Sequence, residues 1–430
     1  MEDTYYDNAP LEPKHYKWTF IATIGDILDG GMFVATGVTL IPLIAYLHLN
    51  SFEEGLPALL TLLGTAVGAL SLGPLGDKYG RKYIYRFDLI LYASSAFLLA
   101  LTTELYYAMI FFFLVGLAVG GDVPISWSLI SEFSPKKHRG KLFSFTYVSW
   151  FIGIDIVIIL GILLASYGMV IFRTIWIVLA VIAVIGFFLR RKLIESPRFD
   201  LIDGISKSKK HYKKMRYKEL FKKYKKAVIF SWFLYLMAGI PLSTGGEFYP
   251  FIFKTLGFDT VQSYEFELLY NTASLFCIFF FTFFVDKLGR VKLYIISAAV
   301  YSFGLYMLID PTLYHILPYI IAVPIISGAG IGLGFDIINR LFSIVHFPTS
   351  LRSSGQGFIW STMRFEAAFF GLFTPTVITI IAISGLYAML GSMILLDLIV
   401  IIIFSIINPS WVKTENRSID DTSNDYIVDG

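Results

Sequence analysis

The chain has 430 residues, 56% of them hydrophobic and 16% charged, with a mean hydropathy of +0.69 and a formal net charge of +3. This composition excludes a water-soluble domain of such length and indicates a bilayer protein. A single cysteine, Cys277, excludes an internal disulfide framework, and six scattered histidines offer no metal-ligand spacing, so no metal or cofactor is expected.

Residues 1–17 are polar and acidic and lack the pattern of a cleavable leader. Twelve apolar runs follow, each near the ~20 residues that a bilayer requires. They fall at 18–47, 55–76, 82–102, 106–133, 141–168, 171–192, 227–254, 264–286, 291–310, 314–345, 352–383 and 385–408. The expected fold is an all-α membrane protein of twelve transmembrane helices in two six-helix bundles. The bundles occupy 18–192 and 227–408, joined by a basic linker at 193–226 and followed by a polar, acidic tail at 409–430. Fifteen of the 35 Lys and Arg residues lie between Arg190 and Lys226, and the loops at 76–82, 135–141, 286–292 and 346–352 are also basic. The loops of the opposite side hold none, so the positive-inside rule places both termini in the cytoplasm. The basic linker then serves topology rather than nucleic-acid binding.

Polar residues inside the spans carry the chemistry, because a carboxylate at mid-bilayer costs about 2.5–3.5 kcal/mol and needs a cavity, a partner or a proton. The first span reads Gly25-Asp-Ile-Leu-Asp-Gly-Gly31, with Asp26 and Asp29 on roughly one face and glycines that weaken the helix. Two acids that close do not both ionise cheaply, so one is expected to hold a proton, unless one faces water or caps a helix break. Between the second and third spans lies Gly73-Pro-Leu-Gly-Asp-Lys-Tyr-Gly-Arg-Lys82, and a degenerate copy returns at Thr282–Lys292. Gly80 and Gly289 are 209 residues apart, about half the chain, which marks an internal duplication. Gly73 and Gly80 allow close approach, Asp77 and Arg81 stand at i, i+4, and Lys78, Arg81 and Lys82 suit an anionic membrane face. Asp286, Gly289 and Arg290 repeat the pattern.

In the fourth span, Pro124 frees a carbonyl and should bend the helix beside Asp122, which shares a face with Ser126. Glu132 and Arg139 close that span's basic end, where a gate salt bridge with the Gly73–Lys82 loop is expected. Glu195 and Arg198 belong to an E-S-P-R run after the sixth span. The second half supplies Ser243, Thr244, Glu247 and Tyr249 in the seventh span and Asn271 in the eighth. Asp336, Asn339 and Arg340 lie in the tenth span, and Trp360 and Arg364 in the eleventh. Asp336 and Arg340 are spaced to neutralise each other, whereas Arg364 and Glu366, two apart, are not. Arg364 therefore requires an acid from another helix or an anionic solute. Asp26, Asp29, Asp122 and Glu247 are the proton-coupling candidates. Ser126, Trp150, Ser243, Thr244, Tyr249, Asn271, Asp336, Asn339, Trp360 and Arg364 are the cavity candidates.

The doubled G-x-x-x-D-K-x-G-R-K loop resembles the signature loop of the major facilitator superfamily. The fourth-span run G-G-D-x-P-I-S…S-E-F-x-x-K-K-x-R-G is similar to that of proton-coupled phosphate and metabolite symporters. Glu195-Ser-Pro-Arg198 and Tyr249–Phe258 resemble segments of sugar porters, and Phe347–Gly357 those of organic-ion transporters. The resemblance implies a carrier working by alternating access, with protons as the coupling ion. Two departures bear on substrate: Tyr235–Pro241 stands where sugar porters carry a Gln-Gln pair, and Arg364 where phosphate symporters carry lysine. The expected function is proton-coupled symport of a small polar solute, sugar-like or another organic metabolite, with phosphate or organic ions as the alternative solutes. Nothing points to an enzyme, and no phosphate-binding G-x-x-x-x-G-K-[ST] loop is present. A channel or a non-transporting sensor is the alternative of a different class. The expected setting is a monomer in the lipid of the cell membrane, with a small-molecule substrate and protons as partners.

Overall fold

Lipid offers no partner for backbone N–H and C=O groups, so apolar runs of this length must satisfy them internally as helices. The computed structural model describes residues 9–50, 53–79, 81–191, 217–348 and 351–414, and among them every long element is helical. Gly80, Glu195 and Arg198 lie outside the described residues, as do the side chains of Asp77, Lys78, Arg81, Lys82, Glu247 and Asp286.

The first span is built from three pieces, α1 (Pro13–Ala22), α2 (Ile24–Val38) and α3 (Leu40–Leu47). Then come α4 (Leu56–Tyr79), α5 (Arg81–Ala100), α6 (Leu105–Phe133), α7 (Arg139–Leu163) and α8 (Met169–Arg190). A short α9 (Tyr217–Lys223) precedes the second half: α10 (Lys225–Glu247), α11 (Tyr249–Thr255), α12 (Thr260–Leu288), α13 (Arg290–Tyr306), α14 (Leu317–Gly332) and α15 (Phe335–Val345). The last two spans run through α16 (Arg352–Ile407), which is broken at Ala382 (φ 59°, ψ 173°), and α17 (Pro409–Val412) ends the described chain. Nine described stretches are long and apolar enough to cross a bilayer, and the apolar Phe87–Ala100 part of α5 adds a shorter one. With α13 and the part of α16 before Ala382 counted as well, the described residues make twelve crossings.

Packing repeats between the halves. In the first half α2 packs on α7, α4 on α6, and α5 on both α6 and α8. In the second half α10 packs on α16, α12 on α14, and α13 on both α14 and α16. These are the same pairs, six spans later. The halves meet along two seams, α4 against α16 and α7 against α12.

Two local expectations are corrected. The Gly25–Gly31 run is helical throughout, and the breaks of the first span fall at Thr23 and Thr39 instead. The glycines serve close approach: a Cβ on Gly25 would overlap the Asp122 carboxylate, and one on Gly30 the Trp150 carbonyl. Pro124 lies within α6, which is helical from Leu105 to Phe133. The tenth span is not one helix, because α14 stops at Leu333 and Gly334 takes φ 120° before α15.

Candidate functional site

Between the halves lies a cavity with an empty volume of about 570 Å³. Its walls come from α2, α7, α10, α12, α14, α15 and α16, so both halves contribute. Of the cavity candidates named above, Trp150, Ser243, Asn271, Asp336, Trp360 and Arg364 line it. Ser126, Thr244, Tyr249 and Asn339 are buried but are not among the lining residues. Ser126 Oγ donates to the Val123 carbonyl at 2.9 Å, and the Asn339 amide nitrogen lies 3.5 Å from Tyr294 Oη. Tyr249 packs on Tyr270 and Phe253 at ring separations of 5.1 and 4.9 Å.

Two buried ion pairs flank the cavity. Arg364 donates from Nη2 to both oxygens of Asp29, at 3.0 and 3.2 Å, and joins the eleventh span to the first. Trp150 Nε1 completes the shell around Asp29 at 3.0 Å, and the guanidinium stands 4.4 Å from the centre of the Trp360 ring. Arg340 donates from Nε to Asp336 at 2.6 Å and lies 4.4 Å from the Trp127 ring centre. The internal acid required by Arg364 is therefore Asp29. Asp26, one turn away, accepts from Trp127 Nε1 at 2.9 Å, and its second oxygen is without a hydrogen bond.

Asp122 is turned away from this cavity, into the first half. Arg190 grips both its oxygens, at 2.5 and 3.0 Å, and also reaches Asp88 at 3.4 Å while stacking 3.6 Å over Tyr85. Gly25 leaves room for this cluster, and a small space of about 170 Å³ lined by Asp88 and Asp122 adjoins it. Neither Asp88 nor Arg190 was among the coupling or cavity candidates named from the sequence.

One end of the molecule is sealed. Glu132 accepts from Arg352 Nη1 at 2.5 Å, with both side chains fully buried, and Arg352 also donates to the Phe347 carbonyl at 3.2 Å. This partner for Glu132 lies in the other half and was not foreseen. Arg139 Nε donates to the Ser131 carbonyl at 3.2 Å. Beside the pair, Gly73 of α4 and Gly357 of α16 bring the backbones so close that a Cβ on either would strike the opposite chain. At the same end Ser144 and Thr282 share a 2.7 Å hydrogen bond across the α7–α12 seam, and Arg290 Nη1 donates to Thr414 at 2.5 Å.

Two repeated helical bundles around a central cavity with charged groups in its walls, closed at one end by a charge pair between the bundles, define a carrier rather than a continuous pore. The chain belongs to the Major Facilitator Superfamily, whose family model matches residues 19–372. It is 29% identical over 401 residues to the minor myo-inositol transporter IolF of Bacillus subtilis, covering 90% of each chain. It is 24% identical to the inner membrane metabolite transport protein YgcS of Escherichia coli, covering 84% of each. Among solved structures it is similar to the proton:xylose symporter XylE bound to 6-bromo-6-deoxy-D-glucose, with a TM-score of 0.82 and 17% identity over 96% of this chain and 99% of that one.

Proposed function

We propose that the chain carries a neutral polyhydroxylated solute, of the cyclitol or sugar class, together with protons. The observation that carries this reading is that the arginines beside the cavity are already paired inside the protein, Arg364 with Asp29 and Arg340 with Asp336. An anionic solute would have to displace one of these acids and strand a buried charge, at a cost of about 3–5 kcal/mol. Hydroxyls instead meet the spare donors Arg340 Nη1, Arg364 Nε and Trp360 Nε1, each buried without a hydrogen-bond partner. The similarity to a myo-inositol transporter along nine-tenths of both chains supports the same solute class.

Protons follow from the charge inventory. Among the described residues eight carboxylates are buried, Asp26, Asp29, Asp88, Asp122, Glu132, Glu267, Asp336 and Asp397, against six arginines, Arg139, Arg190, Arg290, Arg340, Arg352 and Arg364. Acids in such excess do not all stay ionised in a bilayer, so some must take up protons. Asp26, Asp29 and Asp122 are the leading coupling residues, with Glu247 next. In this reading the basic end faces the cytoplasm, the protein works as a monomer in the cell membrane, and the halves at 18–192 and 227–408 move as units.

Counterflow of labelled myo-inositol in liposomes tests the reading, with neutral polyols, hexoses, carboxylates, phosphate and organic cations as competitors. Competition is expected from neutral polyols, and an acid-outside gradient should drive accumulation. Replacing the coupling aspartate by Asn should abolish accumulation yet retain counterflow. Competition by carboxylates or phosphate alone overturns the solute class. Current far above carrier turnover would mark a channel, and binding without flux a sensor.

A further inference from the structure

Glu267 has no part in the pairs described so far. It lies two turns into α12, on the cavity wall, 1% exposed, and its Oε2 has no hydrogen-bond partner. No ion pair to it is present among the described residues. The charged neighbour that acts on it is Asp155 of α7, across the seam between the halves, which repels rather than compensates. The other carboxylate on the wall, Asp336, is held by Arg340. One turn along the same face of α12 stands Asn271, 2% exposed, with its amide nitrogen also unpaired. An acceptor and a donor, both buried and both unmet, therefore sit side by side on a cavity wall.

A buried polar group left unsatisfied costs free energy that a matching ligand group recovers. We infer that Glu267 and Asn271 form a subsite for two hydroxyls borne on one ring of the solute, one donating to Glu267 and the other accepting from Asn271. This inference rests on the polyol reading above. It adds the acceptor that reading lacks, because Trp360, Arg340 and Arg364 offer spare donors only. A hydroxyl both donates and accepts, so a polyol serves both walls at once. An organic anion meets the donors and collides with Glu267, and an organic cation is met by Glu267 alone. Glu267 is thus a specificity-determining residue, and the wall of α12 is where the cavity distinguishes hydroxyl patterns.

The test is equilibrium binding of myo-inositol and its series of monodeoxy analogues to the purified full chain, as the parent, Glu267→Gln and Glu267→Ala. Glu267→Ala should weaken myo-inositol binding roughly 10- to 100-fold, the range for a buried hydrogen-bonding group left without its partner. Glu267→Gln keeps the shape and a neutral acceptor, and should lose only a few-fold. For the analogue lacking the hydroxyl that meets Glu267, parent and Ala variant should bind alike. Unchanged binding by Glu267→Ala overturns the subsite while leaving the polyol reading intact. An equal loss across all analogues also overturns it, because that pattern marks a structural side chain. A parent protein that binds no polyol but does bind a carboxylate or an organic cation overturns the polyol reading itself.

Discussion

Asp29 is held from two sides, by the Arg364 guanidinium and by Trp150 Nε1, in a site closed to solvent. Removing one partner of such a pair strands the other, so Asp29→Asn should destabilise this conformation by about 3–5 kcal/mol. The double variant Asp29→Asn with Arg364→Gln should recover most of that loss, a non-additivity visible in melting temperatures. Arg364→Lys keeps a charge beside Asp29 but removes the spare Nε donor, and should weaken polyol binding roughly 10-fold. Binding of a carboxylate analogue that this variant loses selectively would place a solute anion there. That Arg364 needed an acid from another helix was legible, because its spacing from Glu366 denied it a local one and Asp29 was among the acids in view. Glu267 was not legible. It follows Glu265 in a polar stretch at the head of its span and reads as loop-adjacent, whereas α12 begins at Thr260 and carries it inside. The i, i+4 spacing of Glu267 and Asn271 on one face was the signal available.

At the scale of elements, the seal depends on α4 and α16 lying backbone to backbone at Gly73 and Gly357, which sets Glu132 of α6 against Arg352. Reversing one charge, Glu132→Arg, should open this end, and the exchange Glu132→Arg with Arg352→Glu should close it again. Distances between spin labels on α6 and α16, in a Cys277→Ser background, would report both, and labels that stay together in the single variant would deny the pair a gating role. The twelve spans could be located from apolar runs because length and hydropathy alone determine a crossing. The break at Ala382 falls at the expected boundary between the spans at 352–383 and 385–408. The breaks inside the first span, at Thr23 and Thr39, were not located, although Pro42, three residues after Thr39, disfavours a continuous helix there.

Across the whole molecule, the same helix pairs recur in the two halves, which share one cavity, in keeping with the internal duplication marked by the doubled basic loop. The pairing of Arg190 with Asp122 and of Arg340 with Asp336, each within one half, has an electrical consequence. Each unit charge carried through the membrane field is worth about 2.3 kcal/mol per 100 mV. Arginines that travel with their carboxylates add almost nothing to that sum, so the unloaded protein should reorient with little dependence on voltage. A neutral polyol adds nothing either. Uptake current should then equal the proton flux alone, charge for charge with protons entering, and patch recordings of reconstituted protein should show no transient gating current when substrate is absent. A sizeable substrate-free transient would mean that one of these pairs separates as the halves move, leaving an arginine to sense the membrane potential by itself.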